Sequence, residues 1–139
     1  MRKERETRSI NRTSIKKDDL INTLTDHTSN VYKVSSGLID LLRLRINEKS
    51  FHPNAGQKIL FISKKVFIIL RISIDKKEQI LAITNVTNKI QNIDIDLKKY
   101  KLPVKNWYNL FTKKSVPVIK SILTAHLKPY DYLWFKSSQ

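Results

Sequence analysis

The residues best suited to chemistry in this sequence are few and far apart. His27, His52 and His126 are its three histidines. None of them has a second donor at the spacing that puts two ligands on one face, so no metal site is predicted. Asp94 and Asp96 resemble a carboxylate dyad, but they alternate with Ile93, Ile95 and Leu97. In an extended strand that spacing sends both aspartates to the polar side, which is a solvated face and not an acid/base pair. The chain has no cysteine, so thiol catalysis, thiolate metal sites and disulfide scaffolds are excluded. Phosphate-cradling glycine loops and the nucleophile elbow are missing too, and no cofactor is expected. "NRT" and "NVT" have the form of glycosylation acceptors without any sign of secretion beside them. Trp107, Tyr108, Tyr130, Tyr132 and Trp134 could stack on sugars or bases. Their place beside alternating aliphatics reads instead as core and rim packing. Taken alone, the residues describe a non-catalytic domain of helices and strands.

Charge offers a second kind of chemistry. The 139 residues carry a formal net charge of +15, and clustered cations would suit a polyanion. Beyond the first 17 residues, however, lysines come as the separated pairs Lys64-Lys65, Lys76-Lys77, Lys98-Lys99 and Lys113-Lys114. Most fall at predicted turns and would point several ways, so nucleic acid is not the expected partner. A small basic module for nucleic acid or polysaccharide is kept as the alternative function. "MRKERETRSI" is charged where a secretory core would be apolar, and no run of membrane-spanning length occurs. A cytoplasmic protein without a membrane partner is expected.

The elements that would position these residues follow from apolar periodicity. Hydrophobic residues make up 40% of the chain, enough for one buried core. Residues 1–17 hold seven basic and two acidic side chains and read as an irregular segment with Arg8 and Arg12 spaced along it. Asp18 or Asp19 is expected to cap a short helix, "DDLINTLTDH". After a break at "TSN", Ser29 or Asn30 would cap "VYKVSSGLIDLLRLRINEKS", where Val31, Val34, Leu38, Leu41 and Leu42 form an amphipathic stripe. Gly37 inside that helix suggests close packing against another element. At "FHPNAG" the period changes from that of a helix to that of strands. "KILFIS", "KVFIILRISID", "QILAITNVT" and "IQNIDIDL" read as four strands, and "KNWYNLF" as a short strand or turn. "SVPVIKSILTAHLKPYDYLWFKSS" closes with two more, turning at Pro129-Tyr130. The fold class is α+β: two helices, then an antiparallel β-sandwich of about six to eight strands.

Three stretches, "RSINRTSIKKDDL", "LIDLLRLRINEKSFHPNAGQKIL" and "VFIILRISIDKKEQILAITNVT", with the ending "LTAHLKPYDYLWFK", resemble the C-terminal part of sucrose-phosphorylase-like enzymes of glycoside hydrolase family 13. The combination of "INR", "FHPNA" and "NVT" carries the resemblance, which covers nearly the whole chain. "FHPNA" leans towards the branch holding sucrose 6-phosphate and glucosylglycerate phosphorylases.

The resemblance implies that residues 1–17 are a loop of the catalytic face and residues 18–50 the terminal helices of a (β/α)8 barrel, with residues 58–139 as the C-terminal antiparallel β domain. Barrel enzymes build their active sites from the loops beyond the strands. It also implies a substrate-binding role for Arg8, the arginine just before "INR" with one residue between, in holding the glucosyl unit. Thr7 stands where the family usually has glycine. Without the resemblance, Arg8 would read as surface charge. Asn11 and Arg12 would anchor the loop. The implied reaction is retaining transfer of glucose from a sucrose-type donor to phosphate, through an aspartate nucleophile and a glutamate acid/base. Those carboxylates are not among these 139 residues, so the chain is expected to be a C-terminal part that is inactive alone. Sugar and phosphate would be its ligands only through the missing barrel. Lacking that barrel, its apolar helix face is expected to drive self-association.

Overall fold

The computed structural model describes residues 15–138. Helix α1 spans Lys17–Thr25 and helix α2 spans Asn30–Ile46. A single 3-10 turn follows at Lys49–Phe51. Eight strands come next: β1 Gly56–Ile59, β2 Val66–Ile72, β3 Glu78–Asn85, β4 Gln91–Asp96, β5 Trp107–Asn109, β6 Val118–Ile119, β7 Ile122–Leu127 and β8 Tyr132–Ser138. The chain divides into two compact units between Arg43 and Leu44, so the last turn of α2 belongs to the second unit.

In the first unit, Lys16 occupies the N-cap of α1 without a side-chain cap bond. Asp18 and Asp19 lie in the first turn, where they favour the helix through its positive end and do not cap it as expected. Asp26 ends that helix and turns the chain. Its carboxylate accepts from the Thr28 amide at 2.9 Å and the Thr28 hydroxyl at 2.7 Å. The Thr28 hydroxyl bond is the main reason this exposed carboxyl is held below its ordinary value. Ser29 caps α2 as expected, its oxygen accepting from the Tyr32 amide at 2.9 Å. α2 stops at Ile46, short of the predicted end at Ser50, because the chain there turns onto the sheet. A Cβ at Gly37 would meet nothing within 4 Å, which overturns the close packing expected there. None of the described side chains in α1 or α2 is buried.

In the second unit, one sheet has the order β1-β2-β3-β8-β5 and the other β4-β7-β6. All pairings are antiparallel. One core joins the two sheets. Val66, Ile68, Leu70, Leu81, Ile83 and Phe135 come from the larger sheet, and Ile93, Ile95, Leu123, Ala125 and Leu127 from the smaller. A sandwich results because each strand sends alternate side chains inward. The alternation predicted for β4 holds: Ile93 and Ile95 are buried, and Asp94 and Asp96 are exposed. The segment read as one strand from Ser115 is two, β6 and β7, joined at Lys120-Ser121. Both turn residues have positive φ, 50° and 68°, the backbone of a type I′ hairpin. Asparagine and glycine normally announce such a turn, and this one has neither.

Candidate functional site

Strand alternation defines an outer face on the five-stranded sheet. Register pairs Phe67 with Thr84, Ile69 with Ala82 and Arg71 with Ile80. It continues across to Tyr132, Trp134 and Lys136. Apolar residues dominate this face: Ile59 is 60%, Phe67 45% and Tyr132 41% exposed. Trp134 is half-buried between Phe51, with ring centroids 4.7 Å apart, and Phe111, at 5.3 Å. Its indole is packed as part of an aromatic row.

At one end of this face, three ionised groups meet out of water. Lys136 Nζ lies 2.5 Å from Glu48 Oε2 and 2.7 Å from Glu78 Oε2. The side chains of Lys136, Glu48 and Glu78 retain 13%, 7% and 11% of their exposure. Glu78 Oε1 accepts from the Ser50 amide at 2.8 Å, and the Glu78 carbonyl accepts from the Ser50 hydroxyl at 3.0 Å. Arg71 completes the cluster. Its Nε donates to the Ser50 carbonyl at 3.0 Å, and one terminal nitrogen donates to the His52 carbonyl at 2.8 Å. The other donates to Gln57 Oε1 at 2.7 Å. The 3-10 turn is thereby fixed on β2 and β3, and Ile80 beneath it is fully buried.

Burial alone would pull the Lys136 ammonium down, but the bonds from Glu48 and Glu78 outweigh it and raise its pKa above the ordinary lysine value. Burial likewise pushes Glu78 up. The Lys136 and Ser50 bonds reverse that and hold its carboxyl below the usual value. Every polar group of Glu48, Glu78 and Lys136 described above is spent on another group of the fold, so the chemistry of the cluster is adhesive: it fastens the incoming chain to the sheet. A shallow cavity of about 300 Å³ adjoins it, lined by Lys49, His52, Ser73, Ile74 and Asp75.

A second polar lock closes the other end of the sheet. Asn85 is 1% exposed. Its Nδ2 donates to the carbonyls of Lys89 and Lys128, each at 2.7 Å. Its Oδ1 accepts from the amide and hydroxyl of Thr87. The asparagine of "NVT" is therefore spent on the fold and is no glycan acceptor. Asp131 fits beside it, accepting from the amides of Tyr132 and Lys128.

Arg8, with Asn11 and Arg12, lies outside the described residues. The histidines stay apart. His27 packs on Tyr32 with ring centroids 4.2 Å apart. His52 Nδ1 accepts from the Asn54 amide, and His126 pairs with Asn92. Among the described residues no group of three His, Asp or Glu side chains could hold a metal. No helix among them is long and apolar enough to cross a membrane. Asp94 accepts from Thr124 across the ladder. Trp107 is 1% exposed and donates its indole N–H to the Pro103 carbonyl at 2.6 Å, so it is core. Sequence reasoning missed Glu48, Ser50, Glu78 and Lys136 as a set. Each is ordinary in its local context, and only strand pairing unites them.

The sandwich is that of a known class. Residues 58–134 match the family described as Maltogenic Amylase, C-terminal domain. The chain belongs to that family, whose members are the C-terminal β domains of glycoside hydrolase family 13 enzymes. Within this class the sequence is similar to a glucosylglycerate phosphorylase of Spirochaeta thermophila, at 32% identity over 81 residues. Those residues are 58% of this chain and 14% of that protein. Two solved structures share the fold. AmyP E221Q in complex with maltotriose has a TM-score of 0.70 at 11% identity, covering 91% of this chain and 28% of that one. An Anoxybacillus alpha-amylase has a TM-score of 0.66 at 16% identity, covering 81% of this chain and 24% of that one.

Proposed function

We propose that this chain is the C-terminal part of a sucrose-phosphorylase-like glucosyltransferase, its two helices closing a (β/α)8 barrel and its sandwich serving as the accessory β domain. The observation that carries this reading is the 32% identity to a glucosylglycerate phosphorylase. The exposed apolar face of the larger sheet, with its polar clamp, suits a domain held against a larger body better than a catalytic centre. The reaction of the whole enzyme would pass glucose from a sucrose-type donor to phosphate with retention. One carboxylate would displace the leaving group to form a glucosyl-enzyme, and phosphate would then take the sugar. Both carboxylates would come from barrel strands that precede these residues.

Arg8 would contribute at the donor site. A guanidinium offers five fixed donors and no acceptor, which matches sugar hydroxyls and phosphate oxygens alike. Sugar and phosphate would thus be the ligands of the assembled enzyme, in the cytoplasm.

The test is the size and activity of the native polypeptide. An antibody against residues 129–136 should detect a species several times larger than 16.3 kDa. That species, given a sucrose-type donor and phosphate, should release glucose 1-phosphate, and the 139-residue chain should release none. A native band at 16.3 kDa, or a larger species without phosphorolysis, would contradict the proposal.

A further inference from the structure

We infer that Glu48, Glu78 and Lys136 form a latch that holds the segment Glu48–His52 on the sheet and opens without opening the sandwich. The attachment is polar almost throughout. Lys136 bridges Glu48 to Glu78, Glu78 takes both Ser50 donors, and Arg71 takes the carbonyls of Ser50 and His52. The ring contact of Phe51 with Trp134 and the cover over Ile80 are the apolar part. None of the segment's residues belongs to the core cluster, which starts at Leu60. Lifting the segment therefore leaves the inter-sheet packing in place.

The charge count makes the latch spring-loaded. Two nearly buried carboxylates share one ammonium, and the neighbouring Arg71 is committed to backbone carbonyls and Gln57. Without the Lys136 charge, like charges would face each other in a medium that screens them poorly. Glu78 cannot leave, because β3 is laddered to β2 and β8 on both sides. Glu48 precedes the 3-10 turn outside any strand, so it is the group that moves to water.

Trypsin digestion of the full chain at pH 8 tests this, with fragments identified by mass. Lys49 is 75% exposed and its peptide bond to Ser50 lies inside the latched segment. Lys64 and Lys65, exposed at the turn before β2, serve as the internal control. When opening is fast, cleavage tracks the open population, so Lys136→Met should speed cutting after Lys49 by about ten-fold or more and leave the control turn unchanged. Glu48→Gln on top of Lys136→Met removes the repulsion and should slow that cutting again. Glu48→Gln alone, a mild change of the same shape, should speed it several-fold. Equal acceleration at the control turn, an unchanged rate after Lys49 in the single variants, or no slowing in the double variant would each overturn the latch.

Discussion

Asn85 donates one amide hydrogen to the carbonyl of Lys128, 2.7 Å away, and so ties the turn after β3 to the turn before β8. The other goes to Lys89, and its carbonyl oxygen holds Thr87. All the capacity of a side chain that is 1% exposed is in use. Asn85→Ala would leave two carbonyls, an amide and a hydroxyl without this partner, at a cost of about 3 kcal/mol. Urea denaturation of the variant against the wild type measures it. A loss below about 1 kcal/mol would mean that the backbone bonds from Asn85 to Asp131 and from Tyr130 to Thr87 hold the turns by themselves.

The hairpin between β6 and β7 carries strain that its sequence does not relieve. Lys120 and Ser121 adopt φ of 50° and 68°, conformations that cost a side-chain-bearing residue about 1–2 kcal/mol. Replacing them with Asn and Gly should recover about 1 kcal/mol and raise Tm by roughly 4–8 °C. Thermal unfolding followed by circular dichroism reads the shift. A drop in Tm would show that Lys120 or Ser121 makes a contact worth more than the strain.

Much of the fold is legible in the sequence, and the boundary of what is legible is physical. Alternation places Ile93 and Ile95 inside and Asp94 and Asp96 outside, because burial acts on each residue of a strand separately. The serine cap on α2 is legible for the same local reason. The β6–β7 turn is not, since a chain with two glycines fills left-handed positions with Lys76, Lys101, Lys113 and Lys120. The latch is hidden for a different reason. Glu48, Glu78 and Lys136 meet only through the register of β3 with β8 and the fold of the 3-10 turn onto them. The stretches "FHPNA" and "NVT" that carry the family resemblance fall at the two polar locks, one beginning beside the latch and the other at Asn85.

Gly37 offers a direct comparison of propensity with packing. It lies inside α2 with open space where a Cβ would be. Gly37→Ala should therefore stabilise the helix by about 1 kcal/mol. Amide hydrogen exchange along α2 should slow accordingly. Faster exchange would mean that in solution something packs closely against this position.

The pH dependence of the latch has a definite sign on each side. The Glu78 pKa is lowered in the fold, so its contribution is present above the ordinary value of 4.5 and is lost as pH falls through the folded value. The Lys136 pKa is raised, so its contribution is complete below the ordinary 10.5 and is lost as pH rises through the folded value above it. The groups facing the ammonium are Glu48 from the junction and Glu78 from β3, with Arg71 on β2 bonded to the same junction. The stability difference between wild type and Lys136→Met should then be flat from about pH 6 to 9 and shrink at both extremes. Urea midpoints across that range and beyond both of its ends check it. A difference that grows towards one extreme would contradict the sign on that side.

The apolar stripe of α2 gives the last expectation. Val34 is 70%, Leu38 55% and Leu42 45% exposed, three positions that recur on one helical face. Contiguous apolar surface of this kind associates in water when nothing else covers it. Sedimentation velocity on the chain should therefore show a weight-average mass above 16.3 kDa that rises with concentration. Leu38→Lys, which puts a charge in the middle of the stripe, should shift it towards the monomer without loss of the β signal. If the wild type sediments as a monomer at all concentrations, the stripe is not an association surface in this chain.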